Sequence, residues 1–272
     1  MKPFPMLATL DQIIASTRRK LSQRRRAADL RALGRLASEH RTRGFRSSLA
    51  SAAAHGVAVI AELKKASPSK GLIRADFDPA QLARELKEGG AAALSVLTEP
   101  DYFQGSLANL EIASENSGLP CLRKDFILDE IQIVEARAHR ADAILLIVAA
   151  LAQPDLEGLA AKAREHDLDV LCEAHDEEEL QRALDAGCDL IGVNSRNLRT
   201  FQVDLKTPLR LAKLFPRGIL AVAESGIASA GDIAELRSVG YHAFLIGESL
   251  MKAAFPGSAL RRLLEAATVH SQ

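Results

Sequence analysis

Acids, bases and amides stand at the ends of successive apolar runs in this chain, a pattern that suits proton-transfer chemistry. Glu62 and Lys64 follow the run 57–61, Thr98 and Glu99 follow 92–97, and Arg123, Lys124 and Asp125 follow 119–122. Glu173 and His175 follow 170–172, Asn194 and Arg196 follow 190–193, and Glu224 and Ser225 follow 219–223. Lysines and carboxylates crowded where little water enters shift one another's pKa values, which makes them candidates for acid–base work. A network of rim salt bridges is the competing reading, and it weighs most on Glu99, Arg123 and His175 taken singly.

A second group of residues suits phosphate. Ser225, Gly226 and Ile227 follow the seventh apolar run, and Gly247, Glu248 and Ser249 follow the eighth, at 243–246. Loops at these two places often cradle phosphate with backbone N–H groups, and glycine lets the backbone approach an anion closely. Either glycine alone carries little, since glycine also ends strands. Glu248 beside Gly247 would repel a phosphate, so its side chain is expected to point away. No H-E-x-x-H, clustered His/Cys set, G-x-S-x-G elbow or Gly-rich dinucleotide fingerprint occurs, so no metal and no cofactor are expected.

Eight short apolar runs position these residues; the remaining one is 143–149. Several are continuously apolar, as in parallel strands covered on both faces. Amphipathic segments lie between them, with Asp78, Asp129, Asp155, Asp176 and Ser229 as N-caps and Gly89, Gly118, Gly187 and Gly240 as stops. A last helix is expected over 258–267. Eight βα units without a long interruption favour a closed (β/α)₈ TIM barrel, an α/β fold, over an open doubly wound sheet. No Pro-, Gly- or Ser-rich linker divides the chain, so residues 1–272 read as one barrel domain, with 1–50 as an N-terminal helical extension.

That extension is basic, with Arg18, Arg19, Lys20, Arg24, Arg25 and Arg26. Ile13, Ile14, Leu21, Leu30, Leu33 and Leu36 recur near helical spacing, so one face can pack while the arginines stay in water. A nucleic-acid arm is the alternative. Asp11, Asp29 and Glu39 interrupt the positive charge, and the 35 basic and 35 acidic residues of the chain balance, so no nucleic-acid partner is expected. Cys121, Cys172 and Cys188 form no C-x-x-C pair and read as reduced core residues. With no signal-like leader and no run near the ~20 apolar residues that span a bilayer, a cytoplasmic location without membrane contact is expected.

The stretches AELKKASPSKG (61–71), SVLTE (95–99) with FQG (103–105), LRKDFI (122–127), CEAH (172–175), IGVNSRNL (191–198) and AESGI (223–227) resemble, in order, the motifs of indole-3-glycerol-phosphate synthases. The resemblance covers essentially the whole chain and the N-terminal extension. It implies a carboxy-lyase of tryptophan biosynthesis that cyclises 1-(o-carboxyphenylamino)-1-deoxyribulose 5-phosphate to indole-3-glycerol phosphate, losing CO₂ and water. By the same resemblance Lys124 is the general acid, and Lys64 holds the anthranilate carboxylate and serves the dehydration. Glu173 stabilises the cationic intermediate, Glu62 is the candidate base, and Asn194 and Glu224 complete the network. Ser67, Arg196, Ser225, Gly226 and Gly247 bind the substrate and its phosphate. The partner is thus a small phosphorylated molecule. A monomer is expected, although the sequence does not fix the oligomeric state, and no fused second barrel is expected.

Overall fold

The computed structural model describes residues 8–27, 29–197 and 200–269. Eight strands form a closed parallel barrel: β1 (Ala58–Leu63), β2 (Ala93–Leu97), β3 (Cys121–Lys124), β4 (Ala143–Ile147), β5 (Asp169–Ala174), β6 (Leu190–Asn194), β7 (Leu220–Glu224) and β8 (Ala243–Ile246). Each lies at one of the apolar runs. Strands are neighbours in sequence order, and β8 closes on β1 with Ala58 beside Ala243 and Ala61 beside Ile246. Nearly every strand position is buried, because side chains facing inward fill the barrel and those facing outward meet helices. A two-residue ladder, Ala66–Ser67 against Gly71–Leu72, folds the loop after β1 into a small hairpin.

The helices begin where local capping chemistry dictates. Asp78, Asp129, Asp176 and Ser229 each accept backbone N–H groups at the starts of Pro79–Glu88, Glu130–Ala138, Glu177–Asp185 and Ala230–Ser238. Asp155 is the exception. Its helix opens earlier, at Gln153, because Pro154 is pre-set for a first turn, and Asp155 lies inside that turn. Gly118 ends Leu107–Ser117 in the left-handed region, φ 65°. The final helix is longer than expected, Pro256–Val269.

The N-terminal extension holds three helices, α1 (Leu10–Ala27), α2 (Leu30–Glu39) and α3 (Phe45–His55), the last running past residue 50 to the threshold of β1. α1 crosses the mouth of the barrel. Leu10, Ile13 and Leu21 are buried beneath it, and Lys20 pairs with Glu99 and Asp101 just after β2. Arg24 and Arg25 reach Glu135 and Asp129, whereas Arg18, Arg19 and Arg26 face water as expected. α2 descends along the Glu130–Ala138 helix, whose Arg137 donates to the carbonyls of Ala37 and His40. The expected apolar stripe narrows here: Leu33 is half-buried, but Leu30 and Leu36 stand exposed, because Ala37 makes the contact. α3 closes the floor. Phe45 and Leu49 are fully buried, Arg43 and His40 hold Asp142 just before β4, and Arg46 reaches Asp169, which opens β5, and Asp189 and Gly218, which precede β6 and β7. The extension therefore clamps the barrel from mouth to floor.

Candidate active site

A cavity of about 620 Å³ opens at the C-terminal ends of the strands. Lys124, Lys64, Glu173, Glu62, Asn194, Glu224, Ser67, Arg196, Ser225, Gly226 and Gly247 all line it, so the residues singled out along 272 positions converge on one mouth. Phe103, Phe126, Leu145, Ile147 and Leu245 give the same cavity an apolar wall, and Leu10 and Ile13 of α1 form part of its roof. Strand alternation decides which groups enter. Arg123 and Lys124 are adjacent on β3 and so face opposite sides. Lys124 points into the barrel. Arg123 points outward, fully buried, to Asp125, Glu135 and the Gln132 carbonyl. Arg123 and Glu99, which ties down α1, belong to the scaffold and lie outside the cavity wall.

Lys124 is the centre of the site. Its Nζ donates to Glu173 Oε2 on β5 and Glu224 Oε2 on β7, both at 2.7 Å. Burial alone would lower the lysine pKa, but the charges of Glu173, Glu224 and Glu62 outweigh it and hold the ammonium form well above its usual range. The two carboxylates part company. Burial pushes Glu173 up, yet Lys124, His175 and a hydrogen bond from Asn194 hold it down at about 2. Burial pushes Glu224 up to about 7, with Lys124 only partly offsetting the rise and the Glu173 charge adding to it. Glu224 Oε1 is buried and has no hydrogen-bond partner among the described residues. One lysine thus separates a fixed anion from a carboxyl that exchanges its proton near neutrality, the division of labour on which acid–base sites depend.

The β1 side adds a second pair, in which Lys64 donates to Glu62. Gly247 has a role here that its motif does not reveal, since a β-carbon at this position would overlap the Glu62 side chain. Its lack of a side chain makes room for the carboxylate as well as for any anion.

Beyond this pair lies the polar end of the cavity. After β7 the chain turns abruptly through Ser225 and Gly226, both left-handed with φ 65° and 79°. Such a conformation is costly for serine, on the order of 1–3 kcal/mol, and tends to be found where function requires it. Ser67 and Ser69 lie opposite, hydroxyl to hydroxyl at 3.4 Å. Glu248 does not turn away as expected. It remains on the cavity wall because three cations hold it: Lys252 at 2.6 Å, Arg196 at 3.5 Å and Lys70 at 4.0 Å. Of the IGVNSRNL stretch, Leu198 lies outside the described residues.

His175, which the sequence leaves open together with Glu99 and Arg123, stands beside Glu173. Its Nδ1 lies 2.9 Å from Glu179 Oε2, and its Nε2 lies 3.5 Å from Glu173 Oε1. The signal for it was the spacing His175 to Glu179, one helical turn.

Comparison with known proteins agrees with this geometry. The family profile described as indole-3-glycerol phosphate synthase matches residues 10–263. The chain is 61% identical over 259 residues to the indole-3-glycerol phosphate synthase of Koribacter versatilis, covering 95% of this chain and 100% of that one. It is 48% identical to the one from Chromobacterium violaceum, covering 93% and 97%. Among solved structures, thiamine phosphate pyrophosphorylase from Pyrococcus furiosus shares the fold at a TM-score of 0.58 and 18% identity, over 80% of this chain and 97% of that one. Among the described residues no helix is long and apolar enough to cross a membrane. In fold, in the ordered run of its motifs and in sequence, this chain belongs to the indole-3-glycerol phosphate synthase family.

Proposed function

We propose that this cavity cyclises 1-(o-carboxyphenylamino)-1-deoxyribulose 5-phosphate to indole-3-glycerol phosphate, releasing CO₂ and water. The observation that carries the assignment is the ammonium of Lys124, fixed between two carboxylates at the base of a cavity with an apolar wall and a polar end. An aromatic ring fits against Phe103, Phe126 and Leu145, while the phosphate goes to the end formed by Ser67, Ser225, Gly226 and Gly247, with Arg196 at its edge.

In the first step a ring carbon bonds to the substrate's ketone carbon as Lys124 delivers a proton to the ketone oxygen. Glu173, held anionic, faces the positive charge that develops on the ring and nitrogen. Lys64 holds the carboxylate that departs as CO₂ and serves as acid when the hydroxyl leaves as water. Glu62, paired with Lys64, is placed to take the last proton, and Asn194 and Glu224 keep Glu173 and Lys124 in register. A Schiff-base lysine is the alternative. Lys124 does not suit it, because a nucleophilic amine must be unprotonated and this one is held as ammonium.

We further assign the chain one working unit, barrel plus N-terminal clamp, acting as a monomer in the cytoplasm. The three buried, unpaired thiols suit a reducing compartment. Appearance of indole-3-glycerol phosphate fluorescence from the carboxyphenylamino substrate tests the activity; its absence from folded protein overturns it.

A further inference from the structure

We propose that His175 is a positioning residue that fixes Glu173 as the permanent anion of the site, by presenting a protonated Nε2 to Glu173 Oε1. The inference goes beyond the roles assigned above and rests on that reading only where turnover is measured.

The hydrogen-bond inventory around the ring leaves little freedom. Glu179 Oε2 accepts the backbone N–H of His175 at 2.8 Å and faces His175 Nδ1 at 2.9 Å. A carboxylate can only accept, so Nδ1 carries a hydrogen. The other nitrogen, Nε2, is buried, has no hydrogen-bond partner among the described residues, and lies 3.5 Å from Glu173 Oε1. A neutral ring with its hydrogen on Nδ1 would aim a lone pair at that carboxylate. Only the imidazolium places a donor on both faces. The charged groups that face it come from three elements: Glu173 on β5, Glu179 on the helix that follows, and Glu224 across the barrel on β7. All are acidic. Burial alone would lower the histidine pKa, but these three outweigh it and raise it.

The consequence is an asymmetry between two carboxylates that share one lysine. Glu173 has a cation on each oxygen, with Lys124 at Oε2 and His175 at Oε1. Glu224 has Lys124 on one oxygen and, among the described residues, no hydrogen-bond partner on the other. His175 thereby decides which of the two stays charged. Glu179 in turn fixes the ring's orientation, as an outer carboxylate fixes a histidine in other polar networks.

The test is carried out on the full chain. In wild type, the His175 ring resonances followed by NMR should titrate above the ordinary histidine range of about 6.5; a midpoint at or below it overturns the proposal without reference to any activity. His175→Gln keeps a donor but not the charge. It should lower kcat at least tenfold with KM within about threefold, and should move the acidic limb of the kcat profile upward as Glu173 becomes easier to protonate. Glu179→Gln leaves the ring in place and should shift the His175 midpoint down, with a smaller loss of kcat in the same direction. If His175→Gln proves too unstable to assay, the midpoint shift in Glu179→Gln decides the matter. A wild-type midpoint in Glu179→Gln, or a wild-type acidic limb in His175→Gln, overturns the proposal, even where wild type turns over the substrate. A wild type that titrates as expected but makes no indole-3-glycerol phosphate upholds the charge arrangement and overturns the reaction instead.

Discussion

Glu224 Oε1 occupies the space where a β-carbon on Gly192 would stand, so the carboxylate at the end of β7 rests against bare backbone of β6. The glycine is part of the site although it contributes no side chain. Gly192→Ala should displace Glu224 from Lys124 and lower kcat roughly 10²-fold, since misplacement by about an ångström costs that much. Steady-state kinetics alongside a melting curve checks it. Unchanged turnover would mean that Glu224 has room to rotate aside.

Lys124→Ala should lower kcat by ~10²–10⁴-fold while altering KM far less, the range expected for a general acid. The variant also leaves Glu173 and Glu224 without their shared cation. A variant that keeps more than a tenth of wild-type turnover would remove Lys124 from the acid's role.

The pH dependence of stability follows from the sign of the Glu224 shift. Its carboxyl is raised to about 7 in the folded protein, against roughly 4.3 for an unfolded chain. Between those values the folded state binds more protons, so this group's contribution declines as pH rises through that window and is constant above it. Glu173 has the opposite sign: held at about 2, it stabilises above the unfolded value and loses that contribution as pH falls toward about 2. Glu224→Gln should therefore melt close to wild type at about pH 5 and higher than wild type at about pH 8. A gap that does not widen with pH would contradict the raised carboxyl.

At the polar end of the cavity, Glu248 competes with any phosphate for Arg196, Lys70 and Lys252. Glu248→Gln should lower KM by up to ~5-fold, since partly exposed pairs of this kind are worth about 0.2–1 kcal/mol. Gly226→Val should raise KM, because a side chain there meets Val203 and Leu205 and occupies a left-handed position. Titration with inorganic phosphate checks both. Equal binding by the Gly226 variant would place the cradle elsewhere.

Deleting residues 1–36 should lower both melting temperature and turnover. The barrel surface that Leu10, Ile13 and Leu21 cover is laid bare, with the loss of ~1.5–3 kcal/mol for each of these buried side chains, and Glu99, Glu135 and Asp129 lose their partners on α1. A nucleic-acid arm would instead leave activity and melting point intact while removing affinity for polyanions. Melting, turnover and RNA binding on the truncated chain separate the two.

What could be read from the sequence was whatever chemistry is local. The strands declared themselves as apolar runs because both faces are covered, and Asp78, Asp129, Asp176 and Ser229 did so because a cap reaches only two or three residues. The mouth residues followed, since each stands just after a run. What could not be read depends on neighbours distant in sequence. Arg123 and Lys124 have the same charge and adjacent positions, and only the strand's register sends one outward and the other inward. Gly192 carries no signal of its own and Gly247 reads only as a phosphate glycine, because the carboxylates they accommodate, Glu224 and Glu62, lie on other strands. His175 was hard to weigh for a related reason, as part of its charge environment lies across the barrel on Glu224.

The seam between β1 and β8 has a consequence for how the protein is born. Ala58 pairs with Ala243, about 185 residues later. At bacterial or eukaryotic translation speeds of roughly 5–20 residues per second, that partner follows roughly 10–40 s behind. Until then one edge of β1, with Val59 and Ile60 that end fully buried, is an open template for any other strand in the cell. The nascent chain is therefore most vulnerable to mispairing before its ring is shut. Because Glu62 and Lys64 sit at the end of that waiting strand, the catalytic mouth is completed only when nearly all of the barrel has left the ribosome.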